Sequence, residues 1–87
     1  MNEVLDAQNY GLAKRVKLIR MKDNTIGIVK KRKSRIIMKD GRQILDIAQQ
    51  IKSVDADASI ALLISGPICS KTTKFLTENN IEIIQES

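Results

Sequence analysis

Residues 59–65 read SIALLIS, a run with five apolar residues and no charged one. A run of this length between polar residues is typical of a strand that is buried on both faces of a sheet. The polar stretch at residues 55–58 (DADA) precedes it, and Gly66-Pro67 turns the chain after it. We therefore take 59–65 as the central strand and assign the remaining elements outward from it.

Downstream, the sequence predicts a helix and then a last strand. Pro67 suits the first turn of a helix, so residues 67–79 are predicted to be helical, up to Asn79-Asn80. Residues 81–85 (IEIIQ) predict a final strand. Two strands that are joined by a helix of this length are expected to be parallel, with a right-handed crossover.

Upstream, residues 41–53 predict an amphipathic helix. Its apolar side chains recur at helical spacing; they are Ile44, Leu45, Ile47, Ala48, Ile51 and Val54. The first five of these are expected to face the sheet. Asp40 is expected to cap this helix, and Gln43, three residues later, completes a capping-box pattern.

The N-terminal part predicts an antiparallel meander over residues 14–39. Strands are expected at 14–22, 25–31 and 35–39, with Asp23-Asn24 and residues 32–34 as turns. Residues 1–13 suggest a short strand or helical turn that docks on the body. The predicted fold is α+β within one domain, 1–87: a mixed sheet in which a basic β-meander precedes an α-β-α-β unit, its helix at 41–53 and its strand-helix-strand at 59–85.

Positive charge is concentrated in one segment. Residues 14–42 hold twelve Lys or Arg against Asp23 and Asp40, a net charge of +10, whereas the whole chain carries +5. Contiguous cations repel one another, and a polyanion relieves that repulsion by releasing its counterions. The segment therefore predicts contact with nucleic-acid phosphates. A membrane or acidic protein partner, or a solvated face without a partner, stays open as an alternative.

The candidate nucleic-acid-binding residues are the cations of this segment together with one lysine at a helix start, where phosphate groups bind favourably. They are Lys14, Arg15, Lys17, Arg20, Lys22, Lys30, Lys31, Arg32, Lys33, Arg35, Lys39, Arg42 and Lys71.

No residue pattern predicts catalysis, a metal or a cofactor. Histidine is absent, so imidazole chemistry is excluded, and Cys69 has no base although a helix start with Lys71 nearby would favour its thiolate. Residues 65–73 (SGPICSKTT) place Ser-Lys-Thr between a strand and a helix, but both glycine positions of a phosphate-binding loop are serine. Asp55 and Asp57 supply too few oxygens for a metal cage.

Residues 34–42 (SRIIMKDGR) and 65–72 (SGPICSKT) resemble small basic proteins of thermophilic archaea, some of them ribosome-associated, over residues 14–85. The resemblance implies an rRNA partner and no catalysis. The unit at 59–85 also resembles one half of the RNA-binding proteins of the L7Ae and L30e type, in which loops after the strands meet RNA.

Together these observations predict a non-enzymatic RNA-binding protein, a ribosomal or ribosome-associated component of a ribonucleoprotein. Its expected partner is RNA, above all rRNA, rather than DNA, with neighbouring ribosomal proteins and no membrane, and no cofactor is expected. A cytoplasmic location follows from the lack of a signal peptide and of a long apolar run. Two alternatives stay open: a DNA-binding chromatin or regulatory protein, and a small-ligand or enzyme-regulatory domain that uses the 65–72 loop.

Overall fold

The computed structural model of the protein describes residues 3–31 and 33–86. Five strands lie side by side in chain order: β1 (Glu3–Leu5), β2 (Leu18–Arg20), β3 (Thr25–Lys30), β4 (Ser59–Ile64) and β5 (Ile81–Gln85). The pairings β1–β2 and β2–β3 are antiparallel, and β3–β4 and β4–β5 are parallel. The helices α1 (Met38–Val54) and α2 (Ser70–Glu78) connect the parallel strands. The predicted α+β fold with a mixed sheet is confirmed.

The core lies between one face of the sheet and the two helices. Ile44, Ala48 and Ile51 of α1 are buried there, and Leu76 of α2 joins them. The strands contribute the alternate residues Ile26, Ile28, Ile60, Leu62, Ile64 and Ile81. Leu45 and Ile47 pack against this core while partly exposed, so the predicted apolar stripe of α1 does face the sheet. Successive right-handed crossovers in one direction place both helices on the same face.

The opposite face of the sheet is shaped around Gly27. A Cβ atom at this position would lie 2.6 Å from Cδ1 of Leu63 and 3.1 Å from Cγ1 of Ile19. These neighbours pack over the glycine, so position 27 is a point of close approach that a larger side chain would disturb. Leu63 is 1% exposed although neither α1 nor α2 covers this face.

The meander is built from different residues than the sequence predicts. Its first strand is β1, followed by a short 3₁₀ helix at Ala7–Tyr10, and the strand predicted at 14–22 is reduced to β2. The strand predicted at 35–39 does not form; Ile36 makes a single bridge to Ile68. The reason is that the carboxylate of Asp40 accepts the N–H of Ile37 at 3.0 Å, which starts α1 at Met38.

Both helices start elsewhere than predicted. Asp40 lies in the first turn of α1 and not at its N-cap, which is Ile37. Pro67 lies before α2, because two backbone hydrogen bonds tie its segment to Ile36. The carbonyl of Pro67 accepts the N–H of Ile36 at 3.0 Å, and the N–H of Cys69 donates to the carbonyl of Ile36 at 2.9 Å. These two bonds keep residues 67–69 extended, so α2 begins at Ser70.

The turn between β2 and β3 follows the prediction. Asp23 and Asn24 both have φ of 58°, in the left-handed region that these two residue types tolerate. The side chain of Asn24 also accepts a hydrogen bond from Nη1 of Arg20 at 2.9 Å. This turn reverses the chain, so that β2 runs antiparallel to β3.

Candidate nucleic-acid interface

The carboxyl ends of the three parallel strands meet at one edge of the sheet. Lys30, Ile64 and Gln85 are in register there, and we call this side the carboxyl edge. The connections that follow β3 and β4 lead directly into the N-termini of α1 and α2. In open α/β sheets, ligands bind outside the carboxyl ends of the strands.

The segment before β2 reaches the same edge from the opposite direction. The N–H of Val29 donates to the carbonyl of Lys17 at 3.0 Å, one residue before β3 ends. Because β2 is antiparallel to β3, residues 14–17 come to lie beside Lys30. Cations that are more than ten residues apart in the sequence thus become neighbours.

A cleft of about 420 Å³, which we call the α1 cleft, opens between residues 12–17, the end of β3 and helix α1. Arg15, Lys17 and Lys30 line it, together with Gln43 and Asp46 from α1. Three cationic residues and one acidic residue therefore line one concave site, and a concave surface with an excess of one sign of charge focuses the electrostatic field.

A second hollow of about 580 Å³ lies on the sheet face that the helices leave uncovered; we call it the sheet-face depression. Its apolar lining includes Val4, Ile19, Val29 and Leu63. Three lysines and two carboxylates also line it: Lys14, Lys17, Lys31, Asp6 and Glu86. Lys17 lines both hollows, so the carboxyl edge is basic on both sides of the sheet.

One of these lysines has an acidic neighbour. Nζ of Lys31 lies 3.6 Å from Oε2 of Glu86, and the side chains are 59% and 38% exposed. Glu86 is held in place because its N–H donates to the carbonyl of Ile64 at 2.7 Å. An ion pair this exposed is weak, so a phosphate can compete for Lys31.

The Ile36–Ile68 bridge adds further cations to the carboxyl edge. It ties the segment before α1 to the start of α2 and brings Arg35 close enough to Cys69 for its charge to act on the thiol. Lys71 is exposed in the first turn of α2, and Lys39 is exposed in the first turn of α1. Helix N-termini carry partial positive charge, so both turns favour anions.

The remaining predicted residues do not all join this edge. Arg20 pairs with Ile26, and Lys22 lies in the turn before β3, so both are at the other end of the strands. Five steps along β3 separate Lys30 from Thr25, or roughly 17 Å. Lys33 is exposed after β3, and Arg42 is exposed in the second turn of α1. Arg32 lies outside the residues that the structure describes.

Two residues of the α1 cleft are absent from the sequence prediction. Gln43 and Asp46 stand three residues apart, beside the apolar stripe to which Ile44 and Ile47 belong. A helical wheel would place them beside the stripe, but nothing in the sequence indicates that residues 12–17 fold over this flank. The loop at 65–72, the other candidate ligand site, lines neither the α1 cleft nor the sheet-face depression.

No family model and no curated protein matches this chain. Two solved structures share its fold. A repair endonuclease from Pyrococcus abyssi has a TM-score of 0.67 and 12% identity, over 82% of this chain and 31% of the other. EndoMS in complex with dsDNA has a TM-score of 0.76 and 16% identity, over 99% of this chain and 36% of the other. This chain thus spans about a third of the length of the structures it matches.

These matches correct several predictions. The predicted resemblance to ribosome-associated proteins is wrong, since the structures with this fold are repair endonucleases. The predicted RNA-binding, ribosomal role with an rRNA partner is wrong for the same reason, because the nucleic acid in the matched complex is double-stranded DNA. The prediction of a non-enzymatic protein is also wrong, since the fold occurs in enzymes. Concerning membranes, no helix in the described ranges is long and apolar enough to cross one.

Proposed function

We propose that this chain binds duplex DNA through the carboxyl edge of its sheet, with the α1 cleft at the centre of the contact. The observation that carries the proposal is the convergence of Arg15, Lys17 and Lys30 on that cleft. Duplex DNA is favoured over RNA because EndoMS, which shares the fold, is solved in complex with dsDNA.

Recognition is expected to depend on the DNA backbone more than on its bases. The cations of the carboxyl edge are suited to phosphates, and phosphate contacts fix orientation without reading sequence. The two aromatic residues are not available as a stacking platform, since Tyr10 is buried and Phe75 packs against the core. Affinity should therefore vary little among duplexes of equal length.

The size of the protein determines the length of duplex that a binding assay requires. Its extents of 29 × 24 × 24 Å cover about seven to nine base pairs at roughly 3.4 Å per pair. A labelled 20-base-pair duplex, titrated with protein in a fluorescence anisotropy assay between 50 and 300 mM salt, tests the proposal. Log affinity should fall linearly with log salt, by about 0.9 per phosphate contact. Binding that does not respond to salt would contradict it.

The interface is located by comparing two triple variants of equal charge. Changing Arg15, Lys17 and Lys30 to Ala should remove about three phosphate contacts, which lowers the salt slope by about 2.7 and the affinity several hundredfold at 0.1 M salt. The control changes three exposed lysines outside the carboxyl edge, Lys22, Lys52 and Lys74, and should lose much less. Equal losses would show that only net charge matters.

DNA cleavage is the second candidate function, because the matched structures are endonucleases and the α1 cleft holds a carboxylate, Asp46, beside its cations. Within residues 3–31 and 33–86, no group of three or more His, Cys, Asp or Glu side chains could hold a metal ion, so these residues do not fit a metal centre. Cleavage would require Asp46 to accept a proton from a water whose oxygen attacks the phosphorus, while the P–O bond to the leaving sugar oxygen breaks and that oxygen takes a proton from solvent. Lys30 would stabilise the phosphate charge. Nicking of supercoiled DNA that is lost in Asp46→Asn would support it, and no nicking at any protein concentration would refute it.

A further inference from the structure

Cys69 is held in a fixed position at the start of α2. It is the N-cap residue, with extended φ and ψ of −65° and 138°. Its N–H donates to the carbonyl of Ile36 at 2.9 Å, and its carbonyl accepts the N–H of Thr73 at 2.9 Å. The side chain is half-buried and unbridged. The thiol therefore lies where an oxygen side chain usually caps a helix, although it makes no capping hydrogen bond of ordinary geometry.

The hydroxyl of Thr72 lacks a hydrogen-bond acceptor, and the sulfur of Cys69 is a candidate for that role. Thr72 is 0% exposed, and among the described residues its Oγ1 makes no hydrogen bond of ordinary geometry. It lies close enough to Cys69 to act on its ionisation. A buried hydroxyl without a partner is unfavourable, and a thiolate is a better acceptor than a thiol. Deprotonation of Cys69 would therefore strengthen this contact.

The other neighbours act in the same direction. The backbone amides of Lys71 and Thr72 are the main groups that lower the pKa of the Cys69 thiol, with the Thr72 hydroxyl and the Arg35 charge as smaller contributions. Partial burial opposes them. The amides are those that a helix N-terminus directs at its N-cap side chain, which is why such positions favour thiolates.

We propose that Cys69 is a modification site, a reactive thiol that forms a mixed disulfide with small disulfides such as oxidised glutathione. The Cys69 thiolate attacks one sulfur of the small disulfide, whose S–S bond breaks while the bond to Cys69 forms. The released half leaves as a thiolate and takes a proton from water. The exchange needs no other oxidant.

The modification would have a consequence at the carboxyl edge, and this consequence rests on the proposed DNA binding. Cys69 lies near Arg35 and directly before the turn that holds Lys71. A glutathione group on Cys69 would add two carboxylates and one amine. It would therefore place a net negative charge beside the cations that are proposed to contact phosphates. Duplex binding should weaken because the group both repels the DNA and blocks its approach.

The first experiment measures the rate at which iodoacetamide alkylates Cys69 in the folded protein, from pH 5 to pH 10, with glutathione as the reference thiol. We expect the midpoint of the profile below that of glutathione. A midpoint lower by one pH unit gives up to about tenfold more thiolate near neutral pH, offset about threefold by weaker nucleophilicity, so the net gain is roughly threefold. A midpoint at or above that of glutathione overturns the proposal.

Two variants test the role of Thr72. Thr72→Val keeps the shape but removes the hydroxyl, so its midpoint should move up; Thr72→Ser keeps the hydroxyl and should stay near the wild-type value. Circular dichroism checks that both are folded, since the methyl group of Thr72 packs at Gly41. The same midpoint in both variants would exclude a contribution from the hydroxyl.

The second experiment compares duplex binding before and after treatment with oxidised glutathione, with Cys69→Ser as the control. Modified protein should bind at least tenfold more weakly, reducing agent should restore binding, and the control should not respond. If modified protein binds within twofold of unmodified protein, the effect on DNA is refuted. If unmodified protein does not bind DNA at all, the proposed function fails, whereas the alkylation profile still decides whether Cys69 is reactive.

Discussion

The two ends of the parallel strands carry opposite charge. The carboxyl edge gathers most of the cations, whereas the other end, which we call the amino edge, starts at Thr25, Ser59 and Ile81. Around the amino edge, acidic side chains outnumber Arg20, Lys22 and Lys52; they are Glu3, Asp23, Asp55, Asp57 and Glu82. In the sequence, however, Arg20 and Lys22 belong to the same basic segment as Lys17 and Lys30.

The difference shows that strand direction, and not distance along the sequence, determines at which edge of the sheet each charged residue lies. Because β2 and β3 are antiparallel, the two ends of the hairpin point in opposite directions, and the segment at 14–30 is divided between both edges. Residues 14–17 return to Lys30, while residues 20–24 are carried away from it. A map of charge along the chain therefore overstates the size of the basic surface.

The largest effect should come from the residue that closes the carboxyl edge. Ile36 is 1% exposed, and its backbone ties residues 67 and 69 to the segment before α1. Ile36→Ala should lower the free energy of unfolding by about 3 kcal/mol, because it leaves a cavity in the core. Chemical denaturation measures the change. Its neighbour Ile37, 49% exposed, is the control and should cost less than about 0.5 kcal/mol as Ala.

Charge reversal at single lysines compares the two edges directly. Lys17→Glu removes a cation that lines both hollows and places a negative charge there, so duplex affinity should fall roughly 30-fold at 0.1 M salt. Lys22→Glu makes the same change at the amino edge and should cost less than about twofold. Anisotropy titrations of both variants decide. Similar losses would abolish the distinction between the edges.

A smaller gain is expected when the acidic neighbour of Lys31 is neutralised. Glu86→Gln removes the carboxylate 3.6 Å from Nζ of Lys31, so Lys31 becomes free for a phosphate and duplex affinity should rise about threefold. The free energy of unfolding should change by less than about 1 kcal/mol, since the pair is exposed. Unchanged or weaker binding would place Lys31 outside the interface.

The smallest effect is expected at the turn of the amino edge. Asp23→Gly raises the net charge by one, and the residue is exposed with φ of 58°, which glycine adopts freely. Relief of backbone strain and the extra freedom of the unfolded chain nearly cancel, so stability should stay within about 0.5 kcal/mol. Duplex binding should stay within twofold. A clear gain in affinity would mean that total charge outweighs its position.

Much of the parallel half of the fold was predictable because its signals are local. The apolar run at β4, the stripe of α1 and the last strand each follow from a short window of sequence, and β5 has the predicted bounds. The start of α1 was not predictable from the sequence, because Asp40 fits both the N-cap and the third helical position. Only the hydrogen bond from the N–H of Ile37 to the Asp40 carboxylate decides between them.

The candidate site was predictable in its composition but not in its arrangement. The excess of cations in residues 14–42 is plain in the sequence, yet the pairing of residues 14–17 with the end of β3 depends on the register of a hairpin whose first strand has three residues. The strand predicted at 35–39 is absent for a similar reason. Its side chains alternate as in a strand, but Ile36 forms a single bridge and α1 begins two residues later.

The order of the sheet has a consequence for how the molecule folds. Each strand pairs with the next one along the chain, from β1 to β5 without exception, so no strand has to be inserted between two that are already in place. The β2–β3 hairpin pairs residues that are close in sequence, whereas the parallel pairings join Thr25 to Ser59 and Ile60 to Ile81, so each of them must first close a long stretch of chain. We therefore expect the hairpin to form early and the closure of the two parallel crossovers to limit the rate of refolding.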